Sequence, residues 1–218
     1  MMIINVIISI LVIMIAIIVH EVAHGWAAYY LGDDTAQKAG RLSFNPLKHI
    51  DWFGTIILPM ILFFSKTGFV FGWAEPVPVD YTKLRTKRNI ILTALAGSAA
   101  NLALALTAAI LLQLWHILPS NYVLGLIGRF LLYTIFINLV LAFFNLLPIP
   151  PLDGAKILLL WNDKPLVRKY LQLENYGLAA IILLIFIIPA FMQACGIYFN
   201  PISNFIKTII STVAAWII

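Results

Sequence analysis

Two histidines and a glutamate stand inside the most apolar stretch of the chain: His20, Glu21 and His24, in VHEVAHGWAAYYLGD over residues 19–33. On a helix His20 and His24 are one turn apart on one face, so both imidazoles can grip a single metal ion. Glu21 projects beside them, within reach of a water held at that ion. This is the H-E-x-x-H arrangement of zinc hydrolases, in which zinc lowers the pKa of its water to about 7 and polarises a carbonyl while a carboxylate takes the proton. The competing explanation, two satisfied core histidines and a stray glutamate, must place ionisable groups in hydrocarbon, where each unpaired charge costs about 3 kcal/mol or more. A bound metal removes much of that difficulty.

A catalytic zinc with two histidines needs a third protein ligand and an open position. Asp33, Asp34, Asp51, Asp80, Asp163 and Glu174 fall in expected loops where solvation explains them, and Glu75 flanks a proline. Asp153 stands apart. It closes NLLPIPPLDG, residues 145–154, at the end of an apolar run and at a depth comparable with the histidines. Pro148, Pro150 and Pro151 break the helix there, and non-helical backbone at that depth is expected only where it lines a cavity or is buried in protein. Asp153-Gly154 also reads as a simple turn or a helix N-cap. Asn145 reads either as inter-helix glue or as a donor to a developing oxyanion.

The elements that must carry these residues are membrane helices. Of 218 residues 62% are hydrophobic and 11% charged, with a mean hydropathy of +0.99, far outside soluble norms. The net charge of +5 does not indicate nucleic acid, because lysines and arginines fall in short clusters between apolar runs, as membrane-flanking charges do. About 20 apolar residues cross roughly 30 Å of hydrocarbon. By that measure spans are expected at residues 1–31, 90–118, 122–147 and 177–194, the last with a possible bend at Pro189. Residues 53–64 are apolar but too short to cross, so 51–80 reads as a re-entrant or interfacial element. A polar stripe from Asn200 to Thr212 marks a carboxy-terminal helix that either lies in the interface or forms a sixth short span. The expected fold is thus all-α and multi-pass, a single domain over residues 1–218 with five to six transmembrane helices and a small membrane-associated β-sheet or re-entrant element after the first. The amino terminus lacks the basic start of a signal peptide and is expected to stay as a membrane helix. Lys38, Arg41 and Lys48, Lys83 to Arg88, and Lys156 to Lys169 fall on one side if the 51–80 element goes in and comes back, which places the site toward the cytoplasm. The lone Cys195 is expected to be a packing residue, His49 and His116 interfacial, and Trp52, Trp73, Trp115 and Trp216 members of aromatic belts.

HEVAH on the first long span, Asn145 with Asp153 in NLLPIPPLDG, GWAEPVPV and AGSAANL together resemble the site-2 protease family of intramembrane zinc metalloproteases, in a compact form without PDZ or nucleotide-sensing (CBS) domains. The resemblance covers about residues 18–156. It implies one zinc ion per chain held by His20, His24 and Asp153, with Glu21 as general base and Asn145 as transition-state stabiliser. It also implies a membrane-protein substrate, cut within or near a transmembrane segment, with the lipid bilayer as the working environment. Glu75 stands where members commonly carry Lys, and Ser98 where they commonly carry Pro; neither position belongs to the implied ligands.

Peptide bonds in a membrane helix are occupied by their own hydrogen bonds, so such an enzyme must hold its target unwound, and adding it to a sheet edge is one solution. Residues 68–80, GFVFGWAEPVPVD, read as a strand whose Pro76 and Pro78 blunt one edge and leave the other open. Paired with AGRLSFN, it would form a small sheet clamping the substrate, or else a loop along the membrane surface. Asn101, among Ala96, Gly97, Ser98, Ala99 and Ala100, is expected to serve close helix packing. The competing function is a metal or proton transporter, whose ion path would need polar groups reaching both faces.

Overall fold

The computed structural model describes residues 2–64, 72–115, 122–161, 165–177, 183, 187–196, 204, 208 and 211, and the regular structure among them is helical. Helix α1 (Met2–Tyr30) is followed by a one-turn α2 (Thr35–Lys38), a 3-10 turn (Pro46–Lys48) and a π-turn (Trp52–Ile57) leading into α3 (Leu58–Phe64). Then come α4 (Lys87–Trp115), α5 (Tyr122–Asn145), α6 (Gly154–Trp161), α7 (Pro165–Leu171) with a 3-10 turn (Gln172–Tyr176), and α8 (Ile188–Ala194). Among the described residues three helices are long and apolar enough to cross a bilayer: Ile3–Tyr30, Lys87–Leu114 and Val123–Asn145. They match the expected first, second and third spans. The expected span at 177–194 is described only at 177, 183 and 187–194, the expected 200–218 helix only at 204, 208 and 211, and His116 and Trp216 lie outside the described residues; Pro189 falls in the first turn of α8.

Helices α1, α4 and α5 pack on one another, and α6 packs on α4. Their outer faces expose Ile3, Ile7, Ile10, Leu106, Ile110 and Val123, a coat that hydrocarbon solvates. Lipid tails give no hydrophobic drive to helix association, so small residues and inter-helix hydrogen bonds must supply it. Ala16 on α1 and Ala94 on α4 are fully buried, Ala108 and Leu112 of α4 meet Leu131 and Ile135 of α5, and Ser98 Oγ donates to the Ala142 carbonyl at 3.2 Å. The end of α1 lies beside the start of α4, where Lys83 bonds Asp34 at 2.9 Å. At the other end Arg129 of α5 reaches Asn5 of α1 at 3.3 Å.

Between α1 and α4 the chain leaves and returns at one place. Asp51 caps the π-turn through Gly54 N–H, the Trp73 amide donates to the Gly54 carbonyl at 3.1 Å, and Thr55 Oγ1 donates to the Trp73 carbonyl at 2.8 Å. A Cβ on Gly54 would lie 2.3 Å from the Trp73 ring, so Trp73 is seated on a glycine, while Trp52 is exposed. The sheet expected of 39–45 and 68–80 does not form among the described residues, which hold no strand: 41–45 and 72–80 are irregular, and 68–71 lie outside them. The physical reason is where the donors go. The amides of Trp73 and Glu75 reach the Gly54 and His49 carbonyls, while those of Val77 and Asp80 reach the carboxylates of Glu21 and Asp33. Donors dispersed over separate partners cannot make a ladder. Cys195, expected to pack, is exposed just past α8, and His49 is buried, its Nε2 bonding the Ser43 carbonyl at 2.7 Å.

Candidate metal centre

Helix α1 places His20 and His24 on one face, their rings edge to face with centroids 4.6 Å apart and both nearly buried. Counting 1.5 Å per residue, they lie about 9 to 15 Å back from the helix end. Asp153 comes from the break after α5. The run 146–153 folds back through turn bonds such as Leu152 N–H to the Ile149 carbonyl, 2.8 Å. Gly154 then passes so close to the end of α5 that a Cβ would sit 2.2 Å from the Leu146 carbonyl oxygen. Asp153 closes that turn immediately ahead of α6, whose first residue is Gly154, and its carboxylate faces the histidines. Asp153 Oδ2 is 3.2 Å from His20 Nε2 and 3.0 Å from His24 Nε2, and the two Nε2 atoms are 3.0 Å apart.

This donor set fits zinc. Bonds of about 2.0–2.1 Å in a tetrahedron separate ligand atoms by roughly 3.3–3.4 Å, close to the edges of this triangle. His20, His24 and Asp153 are a group that could hold a metal ion, and three ligands leave the fourth position open. Both outer nitrogens are taken: His24 Nδ1 meets the Thr93 carbonyl at 2.7 Å and His20 Nδ1 meets Asn101 Oδ1 at 2.7 Å. Gly97 of α4 presses on the same two rings, where a Cβ would lie 2.5 Å from His24 Nε2.

Glu21 is half-buried beside the triangle and accepts the Val77 amide at 2.9 Å. Asn145 donates its Nδ2 to the Leu141 carbonyl in its own helix at 3.0 Å. Lys156, one turn into α6, holds its Nζ 3.8 Å from Asp153 Oδ1 and over the Tyr81 ring. Tyr81, Lys87, Pro151, Leu152, Lys156 and Leu159 line a cleft of about 350 Å³ next to Asp153. Asn101 was legible only as a packing residue; the signal for more was an amide in a long charge-free run, which demands a partner.

Further along α1 the segment over Glu21 is pinned. Buried Asp33 accepts the Asp80 amide at 2.7 Å. Burial pushes the Asp33 carboxyl up, but the hydrogen bonds from the Thr35 hydroxyl, the Asp80 and Thr35 amides and Lys83 outweigh it and hold it below the usual value. Asp34, bonded by Lys38 and Lys83, is lowered to about 2, and its bond raises Lys83. Glu75 accepts from Arg41 at 2.7 Å, and Arg41 also donates to the Glu75 carbonyl at 2.9 Å.

Comparison with known proteins bears on the same residues. The model of "Peptidase family M50" matches residues 119–188, a range holding Asn145 and Asp153. "Putative zinc metalloprotease YwhC" of Bacillus subtilis is 38% identical over 184 residues, 83% of this chain and 80% of that one. "Putative zinc metalloprotease Rip2" of Mycolicibacterium smegmatis is 31% identical over 179 residues, 81% of this chain and 65% of that one. "Putative zinc metalloprotease MJ0611" of Methanocaldococcus jannaschii is 38% identical over 113 residues, covering 51% and 53%. No solved structure matches the chain.

Proposed function

The chain belongs to peptidase family M50, the site-2 type of membrane zinc metalloprotease, and from that premise we propose that it hydrolyses peptide bonds within or near transmembrane segments of other membrane proteins, in regulated intramembrane proteolysis. All 218 residues act as one domain in this reading. The observation that carries it is the meeting of His20 Nε2, His24 Nε2 and Asp153 Oδ2 within 3.0–3.2 Å, at positions up to 133 residues apart.

In this reading those three atoms hold zinc, which when bound supplies Lewis acidity toward water and the scissile carbonyl. Glu21 takes the proton of the attacking water and returns it to the leaving amine. Asn145 turns its amide from the Leu141 carbonyl toward the developing oxyanion. The substrate enters locally unwound, because a helical peptide bond has no free amide or carbonyl to offer, and the cleft beside Asp153 takes its side chains. Lys83, Lys38, Arg41 and Lys48 cluster at the end of the bundle nearer the site, and the positive-inside rule makes that end cytoplasmic.

The deciding experiment compares wild type with Glu21→Gln in detergent, measuring zinc content and cleavage of a membrane-spanning substrate. The expected result is about one zinc in each and a loss of roughly 10²- to 10⁴-fold in rate for the variant. Undiminished cleavage would overturn the assignment, and zinc flux surviving the substitution in vesicles would favour a transporter.

A further inference from the structure

We infer that Asn101 and Asn138 are positioning residues that fix which nitrogen of His20 faces the metal, through a hydrogen-bond relay running across α4 into α5. This rests on the zinc reading of the site. The links are short and buried: His20 Nδ1 to Asn101 Oδ1 at 2.7 Å, Asn101 Nδ2 to Asn138 Oδ1 at 2.8 Å, and Asn138 Nδ2 to the Thr134 carbonyl at 2.8 Å. Asn101 is 0% and Asn138 1% exposed. Asn138 belongs to none of the motifs, and its hydrogen bonds run to Asn101 and Thr134.

The direction of the relay is forced from its far end. A carbonyl can only accept, so the Thr134 carbonyl obliges Asn138 to present its NH₂ there and its oxygen to Asn101. Asn101 must then answer with its own NH₂, whose second proton points at the Ala16 carbonyl, 3.4 Å away. The oxygen left on Asn101 faces His20 Nδ1, which has to carry the proton. Nε2 is thereby the lone-pair nitrogen, and it is Nε2 that faces Asp153. His24 reaches the same state in one step, its Nδ1 donating to the Thr93 carbonyl. Each ligand histidine is thus read out from a backbone acceptor, directly on α4 for His24 and through two amides for His20. Outer partners of this kind fix ring orientation and raise ligand basicity.

The test is zinc affinity, measured by competition with a chelator of known strength in the detergent-purified chain, for wild type, His20→Ala, Asn101→Leu, Asn138→Leu and Asn101→Asp. Asn101→Leu should weaken zinc about 10- to 100-fold and Asn138→Leu less, whereas Asn101→Asp, which as the neutral acid still accepts from Nδ1 and donates its O–H to Asn138 Oδ1, should stay within about threefold of wild type. Wild-type affinity in Asn101→Leu, or equal weakening by Leu and Asp, would overturn the inference. If the leucine variants fail to fold, Asn101→Asp decides alone: a buried acid group fits only where one neighbour offers a proton and the other accepts one and is otherwise strongly disruptive, so retained zinc supports the relay and lost zinc refutes it. The reading beneath fails separately, by His20→Ala binding zinc as tightly as wild type.

Discussion

The Val77 amide nitrogen lies 2.9 Å from Oε2 of Glu21, 56 residues away. A backbone donor from the segment between Trp73 and Asp80 thus holds one oxygen of the carboxylate that follows His20 in the chain. Proline at position 77 would delete that donor. Val77→Pro should lower cleavage by up to about 100-fold, the scale of a misplaced catalytic group, with zinc content unchanged. Parallel zinc and cleavage assays check this, and full activity would refute it.

Gly97 leaves no room for a side chain, since a Cβ would lie 2.5 Å from His24 Nε2 and 2.6 Å from His20 Cε1. Gly97→Ala should push the imidazoles off their positions at an overpacking cost of about 1–3 kcal/mol. The expected outcome is zinc well below one per chain with the helical content retained, read by metal analysis and circular dichroism.

Asp33 carries a pH dependence whose sign follows from its lowered pKa. Stability from the bond to the Asp80 amide is complete above the ordinary aspartate value of 3.8 and is lost as pH falls through the depressed folded value. Exchange of the Asp80 amide in the solubilised protein should therefore be slow at neutral pH and quicken only in that acid window, relative to its intrinsic rate. In Asp33→Asn it should be fast throughout; protection that persists in the variant would show that another contact holds the segment.

The Arg41–Glu75 pair is half open to solvent, with Glu75 51% exposed, so it should contribute under about 1 kcal/mol. Glu75→Lys should lower Tm by only a few degrees, and a double-mutant cycle with Arg41→Gln should return a coupling within that bound. A larger coupling would mean that the pair is shielded by lipid or substrate.

The metal triangle was legible because its parts are costly in hydrocarbon: ionisable His20, Glu21 and His24 in an apolar run, and Asp153 behind three prolines that no helix would tolerate. Spans α1, α4 and α5 were legible from charge-free length, and α5 ends at Asn145, just ahead of Pro148. What misled was residues 68–80. Alternation and proline placement pointed to a strand with one edge open but could not say what would accept from its amides, and the acceptors proved to be the Glu21 and Asp33 carboxylates and isolated carbonyls. Asn138 was passed over for a related reason: a polar residue amid apolar ones says that it has a partner without saying who.

The anchors of the stretch above Glu21 share an origin. Glu21 and Asp33 both lie on or just beyond α1, and Arg41 follows eight residues after Asp33 in the sequence, whereas Asp153 arrives from the opposite wall of the bundle. The anchors of that stretch and the two histidines of the proposed metal site therefore ride on one piece of chain, and separating the walls would draw Asp153 away while the Val77 and Asp80 amides stayed bonded. Stripping the metal with a chelator should accordingly loosen the α5–α6 corner and leave the Val77 amide as protected as before.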